Sequence, residues 1–360
     1  MQDKLSRCSV LCAAVFFIIA SCACSRVTEY PPSAAKGNRY AAFFELFPGG
    51  AVSISPFTGQ RDTLMVDCSF GNVVCMSTSY AACFSEIGCD SCVTAVSGVR
   101  FLSNSRLRER LGMVEAGHEG TFDYEAVLGL KPDVVLAYSV SAVEPQYVTR
   151  LKALGVKVFM LYDHLESHPL ARAEYVRLAG QLTGRMAVAD SIFDSVSGRY
   201  GQIADSVAQT VTSDRVKVLL NLPYADMWYI PGERNYMSRL ISDAGGEVLG
   251  ARKGRIESSA VSMETAYSLS LDADFWLNTG NCRTRDQIGS QHPFLNEFAP
   301  MGREHSIFNN ISRTNDAGGN DFWESGALHP ELVLSDLVSI FGTSSSTGNA
   351  EGLHYYLEVE

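Results

Sequence analysis

The residues best suited to holding a ligand are aromatic, basic or amide-bearing, and they stand at or just beyond short apolar runs. Tyr80, Arg100, Tyr138 and His164 do so in the first half of the chain. Trp228, Tyr229, Tyr236, Arg252, Asn278 and Arg313 do so in the second. Aromatic faces stack on planar ligands, and guanidinium groups neutralise anionic ones. Nothing here looks like catalytic machinery, since G-x-S-x-G, H-E-x-x-H, Walker and G-x-G-x-x-G patterns are all missing from the sequence. The expectation is a binding protein and not an enzyme. His164-Leu-Glu-Ser-His168 spaces two histidines four apart, but Pro169 makes this a turn into a helix, so no bare-metal site is expected. Cys89-Asp-Ser-Cys92 is a C-x-x-C without the second pair that a zinc site requires. No cofactor is expected.

The elements that must position these residues can be read from composition and periodicity. With 360 residues, 46% of them hydrophobic, the chain can bury the cores of two lobes. Its formal charge of −11 argues against a nucleic-acid partner. Lys4 and Arg7 precede the apolar run Val10 to Ala20, which is too short to span a bilayer and suits a signal-peptide core. Ile19-Ala20-Ser21-Cys22 resembles a bacterial lipobox, implying cleavage before Cys22 and its acylation; ordinary cleavage near Ala23 is the alternative. Residues 1–21 therefore read as a signal peptide and 22–38 as a lipid-anchored tether. The remaining cysteines read as structural, buried or bridged, with a connectivity the sequence leaves open.

Residues 39–66 carry a hairpin extension turning at Gly49-Gly50. Short buried-type strands then alternate with helices over 67–182 and again over 212–342, the pattern of parallel α/β sheets. Leu170 to Leu182 reads as one helix, and Thr121 as the cap of the helix carrying Glu125. Between the two sets, over 183–211, Ala189, Ile192, Phe193, Val196, Tyr200, Ile203 and Val207 recur at steps of three and four. That spacing gives one long helix, a strut joining two lobes. Residues 343–360 are left as a tail. A weak repeat links the lobes: Glu125 through Leu136 and Glu264 through Leu277 each run from an acidic first helical turn to an Asp and a hydrophobic strand, with spacings that differ by two residues.

Tyr124-Glu125, Pro132-Asp133-Val-Val-Leu, Met76-Ser-Thr-Ser-Tyr80 and Leu151-Lys-Ala-Leu-Gly155 resemble the periplasmic substrate-binding proteins of iron-siderophore, haem and vitamin B12 importers. Trp228-Tyr-Ile-Pro-Gly, continuing to Asp243-Ala-Gly-Gly246, is similar to their second-lobe entry, and Gly318-Gly-Asn-Asp-Phe-Trp-Glu-Ser-Gly326 to the versions in Bacteroides-like bacteria. The resemblance covers roughly residues 40 to 341 and implies two Rossmann-like lobes joined by a single long helix. It implies that Glu125 and Glu264 dock into arginine pockets of an ABC permease dimer, where the reading without it would be mere complementation of helix dipoles. The expected function is capture of an iron complex, siderophore or haem, between the lobes of a monomer anchored to a membrane of the Gram-negative envelope by its N-terminal lipid. Vitamin B12 is the alternative ligand, and a tetrapyrrole chelatase on the same architecture a weaker one.

Overall fold

The computed structural model describes residues 35–110, 112–117, 121–210, 214–342 and 352–360; the expected signal peptide and the expected lipid site at Cys22 lie outside them. Fifteen strands are named here in chain order: β1 Phe44–Phe47, β2 Gly50–Ile54, β3 Arg61–Met65, β4 Val73–Cys75, β5 Val93–Val96, β6 Val114–Glu115, β7 Val134–Tyr138, β8 Val158–Leu161, β9 Val216–Leu220, β10 Trp228–Ile230, β11 Gly246–Val248, β12 Ser259–Val261, β13 Phe275–Leu277, β14 Ile307–Asn309 and β15 Leu357–Glu358.

Runs such as Val73-Val74-Cys75 and Val158 to Leu161 are buried at every position, as strands covered on both faces must be. They form two five-stranded sheets. In the first lobe the order is β6-β5-β4-β7-β8, parallel throughout. In the second it is β11-β9-β13-β14-β15, parallel except for the last strand. That last strand corrects the expected tail: Tyr355, Tyr356 and Val359 are buried, and Asp336 accepts the backbone N–H groups of His354, Tyr355 and Tyr356.

The strut is the helix Met186–Thr210. At 1.5 Å per residue its 25 residues span about 37 Å. Ala189, Phe193, Val196 and Tyr200 form its buried stripe. It packs on helix Tyr175–Thr183 of the first lobe and helix Pro330–Gly342 of the second. Arg177 of the former meets Asp190 at 2.7 Å, and Arg199 of the strut meets Glu331 of the latter at 2.7 Å.

The N-terminal extension is a three-stranded antiparallel sheet, β1-β2-β3, larger than the expected hairpin. It lies against β8, the edge strand of the first lobe, where Ser53 Oγ donates to the Met160 carbonyl at 2.6 Å. Covering an edge in this way removes a surface on which other chains could pair. Five successive backbone N–H groups fasten the chain just before β1. Those of Arg39, Tyr40 and Ala41 donate to Glu174, and those of Ala42 and Phe43 to Glu166. Both carboxylates are buried. Residues 35–38, expected in the tether, already belong to this fold, since the Gly37 carbonyl accepts from Arg177 at 2.9 Å. Another departure lies beside this grip. The single helix expected over Leu170 to Leu182 breaks at Glu174 into Pro169–Ala173 and Tyr175–Thr183.

The repeat between the lobes is structural. Helix Tyr124–Leu130 is capped by Asp123, not Thr121, and helix Met263–Ser270 by Ser262. Each leads to an aspartate that holds the neighbouring strand: Asp133 accepts from Gly71 and Asn72 at 2.8 and 2.9 Å, and Asp274 from Lys217 at 2.8 Å. The second helix is one residue longer, eight against seven, and its link to the strand takes up the other extra residue.

Candidate functional site

In parallel sheets, ligands gather at the carboxyl ends of the strands. At the end of β8 in the first lobe stands Asp163, 7% exposed. Tyr80, on the helix Thr78–Glu86 that follows β4, donates its hydroxyl to Asp163 Oδ1 at 3.1 Å. Arg172 lies 3.6 Å from Asp163 Oδ2, and its guanidinium sits 4.7 Å over the ring of Tyr236, which belongs to the second lobe. Tyr80, Asp163, Arg172 and Tyr236 thus form one polar chain through the junction of the lobes. Burial alone would raise the Asp163 carboxyl, but the hydrogen bond from His164 and the charge of Arg172 bring it below its usual value. Burial raises the Tyr80 hydroxyl, and the Asp163 charge adds to that.

His164 borders this chain. Its Nδ1 is 3.8 Å from Asp163 Oδ1, and its Nε2 has no hydrogen-bond partner within the protein. The Tyr138 ring, at the end of β7, meets the imidazole edge-on at 5.9 Å. A carboxylate on one ring nitrogen with the other left unpaired is how imidazoles are commonly oriented toward a metal centre. No cluster of three or more His, Cys, Asp or Glu side chains able to hold a metal occurs among the described residues.

The second lobe contributes asparagines and tyrosines. Asn221 and Asn278, just past β9 and β13, hold positive φ angles of 72° and 63°, a conformation uncommon outside glycine and often found at functional sites. Asn278 accepts the Tyr356 hydroxyl at 3.0 Å. Tyr229 is 41% exposed, whereas Trp228 is fully buried in a mutual cluster with Trp276 and Phe298, with Nε1 donating to the Leu220 carbonyl. Strand alternation turns neighbouring aromatics to opposite faces, so Trp228 belongs to the core and offers a ligand no surface. Arg252 lies on an exposed turn where its carbonyl accepts from Glu233.

Arg100 and Arg313 flank a clasp between the lobes. Arg100 is exposed, with its guanidinium 4.6 Å over Phe101, and Arg313 is paired to Asp321 at 2.7 Å. Between them Asn315 Nδ2 donates to the carbonyls of Arg100 and Leu102, and Glu324 accepts the N–H groups of Ser103 and Asn104. Gly319 has to be glycine: a Cβ there would sit 1.9 Å from the Phe101 carbonyl oxygen. The Gly318 to Gly326 motif is therefore interlobe architecture, which its glycines alone did not reveal.

Sequence reasoning missed Asp163 and Arg172, which carry the junction, although Asp163 adjoins His164. It also missed an exposed apolar rim in the connections beyond the strand ends: Val140 and Val143 after β7, Tyr224 and Met227 after β9, and Trp323 after β14. Glu125 and Glu264 are both exposed, each the second residue of its helix. A helix that feeds a parallel strand starts at the sheet's carboxyl edge, so both glutamates stand on the ligand-side face of their lobes. A hydrogen bond from Ser262 holds the Glu264 carboxyl below its usual range.

Comparison with known proteins places this geometry. The family described as periplasmic binding protein matches residues 73–305. A haem-binding periplasmic protein of Pseudomonas aeruginosa superposes with a TM-score of 0.60 at 16% identity, covering 81% of this chain and 98% of that one. A vitamin B12-binding protein of Vibrio cholerae does so at 0.55 and 12%, covering 77% and 98%. In sequence, an uncharacterised lipoprotein of Methanocaldococcus jannaschii is 20% identical over 254 residues, 68% of this chain and 56% of that protein. A cobalamin-binding protein of Halobacterium salinarum is 29% identical over 192 residues, 53% and 49%. The chain spans about half the length of these sequence relatives.

Proposed function

Because the chain belongs to the periplasmic binding protein family, we propose that it is the ligand-capturing component of an ABC importer, held to the cell envelope by a lipid on Cys22. Its cargo on this reading is a metal chelate taken between the lobes and delivered to a permease dimer through Glu125 and Glu264. The observation that carries this reading is the matched placement of those two exposed carboxylates on lobes held at a fixed separation by one strut. A rigid pair of carboxylates suits recognition by arginines on two permease subunits.

Among chelates, an iron complex of the haem type comes first. The apolar rim suits a broad planar ligand, and His164, beside Tyr138, holds a buried Nε2 without a partner that a small turn of the ring would offer to such a ligand. The case for a strongly anionic siderophore weakens, since Asp321 and Asp163 already neutralise Arg313 and Arg172. Cobalamin is the second reading, favoured by the Halobacterium relative. Titration of the purified protein with haem, a ferric siderophore and cyanocobalamin, followed by absorbance and tryptophan fluorescence, separates them. Saturable haem binding weakened in His164→Ala supports the first; saturation by cyanocobalamin without an iron response replaces it with the second. Binding of none rejects both.

A further inference from the structure

We propose that Cys89 and Cys92 close a disulfide in the extracytoplasmic compartment, stapling the turn against which the start of the strut is seated. The two residues frame a single tight turn between helix Thr78–Glu86 and β5, in which the Cys92 N–H donates to the Cys89 carbonyl at 3.0 Å. Both thiols are free, three residues apart on that one turn. Cys89 is 7% exposed and Cys92 only half-buried, so an external oxidant meets Cys92 first. Cys75, Cys83 and Cys282 are buried in the core, out of such a reagent's reach.

The surroundings show what the bridge would hold. Arg185, one residue before the strut, donates to the Gly88 carbonyl at 3.1 Å and approaches Cys89 Sγ at 4.0 Å. Arg110 donates to the carbonyls of Asp90 and Val93, gripping the turn from the other side. The turn lies at the amino end of β5, away from the ligand face, so its chemistry is independent of cargo.

Closure is a thiol–disulfide exchange with an external disulfide. The Cys92 thiolate attacks one sulfur of the oxidant, releasing the first thiol and leaving a mixed disulfide. The Cys89 thiolate then attacks the Cys92 sulfur, releasing the second thiol, and the two cysteine protons end on the two released thiols. The cysteine pair loses two electrons and the external disulfide gains them. Burial, then the neighbouring Cys89, pushes the Cys92 thiol up to about 11. A thiolate of such high basicity is a poor leaving group, so the bridge resists reopening and acts as a staple, not a redox shuttle.

The test uses glutathione disulfide as the oxidant. Reduced, purified protein is incubated with it, alkylated and mapped by mass spectrometry. The expected peptide map has Cys89 and Cys92 linked, that pair two hydrogens lighter, free of glutathione and protected from maleimide until reduced, with the exposed Cys68 scored separately. A persistent glutathione adduct on Cys92 with Cys89 still alkylated would overturn the pairing. Protein exported to the cell envelope and purified without reductant should carry the same bridge; alkylation of both cysteines there would overturn its formation in the compartment. Reduction should lower the melting temperature of the native protein and leave a Cys89→Ser/Cys92→Ser variant unmoved. Equal melting of both redox forms refutes the stapling.

Discussion

The Glu324 carboxylate, on the second lobe, accepts the backbone N–H of Ser103, on the first, at 2.9 Å. The strut is therefore not the only tie between the lobes. Asn104 donates to the same carboxylate, and His329 joins Glu86 at 3.2 Å to Glu331 at 3.1 Å across the same seam. Lobes tied at several points move little when a ligand enters.

Replacing Glu324 tests that tie. Glu324→Ala orphans two backbone donors at a site 2% exposed, which should cost about 1–3 kcal/mol in urea unfolding. Small-angle scattering of the native protein should show almost the same radius of gyration with and without ligand, and a larger change in the variant. A large ligand-induced change in the native protein would refute the clasp.

Stability should peak in mildly acidic solution. Burial pushes Glu166 up to about 8 and Glu324 up to about 7 despite their backbone donors. Hydrogen bonds to Glu331 and Glu86 overcome the burial of His329 and raise it to about 9. In all three the folded state binds the proton more tightly, so the stability each contributes at low pH is lost as pH rises through these values. His168 runs the other way: burial lowers it to about 4, so the unfolded chain takes up the proton first and stability falls as pH drops below its usual range. Urea midpoints should be highest near about pH 4–5 and decline continuously toward about pH 9. A Glu166→Gln variant should lose part of the alkaline decline, and a flat profile from neutral to alkaline pH would contradict this assignment.

The glutamates on the ligand-side face should separate capture from delivery. In Glu125→Ala/Glu264→Ala the ligand dissociation constant should stay within about twofold of native, a difference of under 1 kcal/mol. Ligand-dependent ATPase stimulation of the reconstituted importer should fall by more than about tenfold, roughly 1.4 kcal/mol or more of docking energy. Unchanged stimulation would reduce both residues to complements of their helix dipoles.

Trp228 and His164 should give opposite results. Trp228→Ala removes the indole packed on both Trp276 and Phe298 and should cost about 3–5 kcal/mol of stability. His164→Ala should leave the fold intact, since its Nε2 bonds nothing in the protein, while weakening binding of an iron macrocycle by about tenfold. Haem affinity unaltered in His164→Ala would remove that residue from the site.

What the sequence made legible was whatever local periodicity records. The strut announced itself because Ala189, Phe193, Val196 and Tyr200 share one helical stripe, and the sheets because their strands are apolar throughout. What it concealed depends on partners far along the chain. Glu174 finds its donors 133 to 135 positions away, and Glu324 closes the seam with donors 220 and 221 positions away. Tyr355 and Tyr356 looked like tail because nothing in their neighbourhood reveals that Asp336 awaits them. Trp228 and Tyr229 were indistinguishable as ligand contacts until the strand assigned each a face.

The grip of Glu166 and Glu174 on residues 39–43 also has a mechanical meaning. Any pull arriving from the N-terminal side meets five donors held by two buried carboxylates before it reaches β1. The carboxylates sit beside the strut, with Arg177 bridging Glu174 at 3.1 Å to Asp190 at 2.7 Å. Tension arriving from that side therefore has a path from Glu174 through Arg177 into the strut, ahead of the β1-β2-β3 sheet that covers β8.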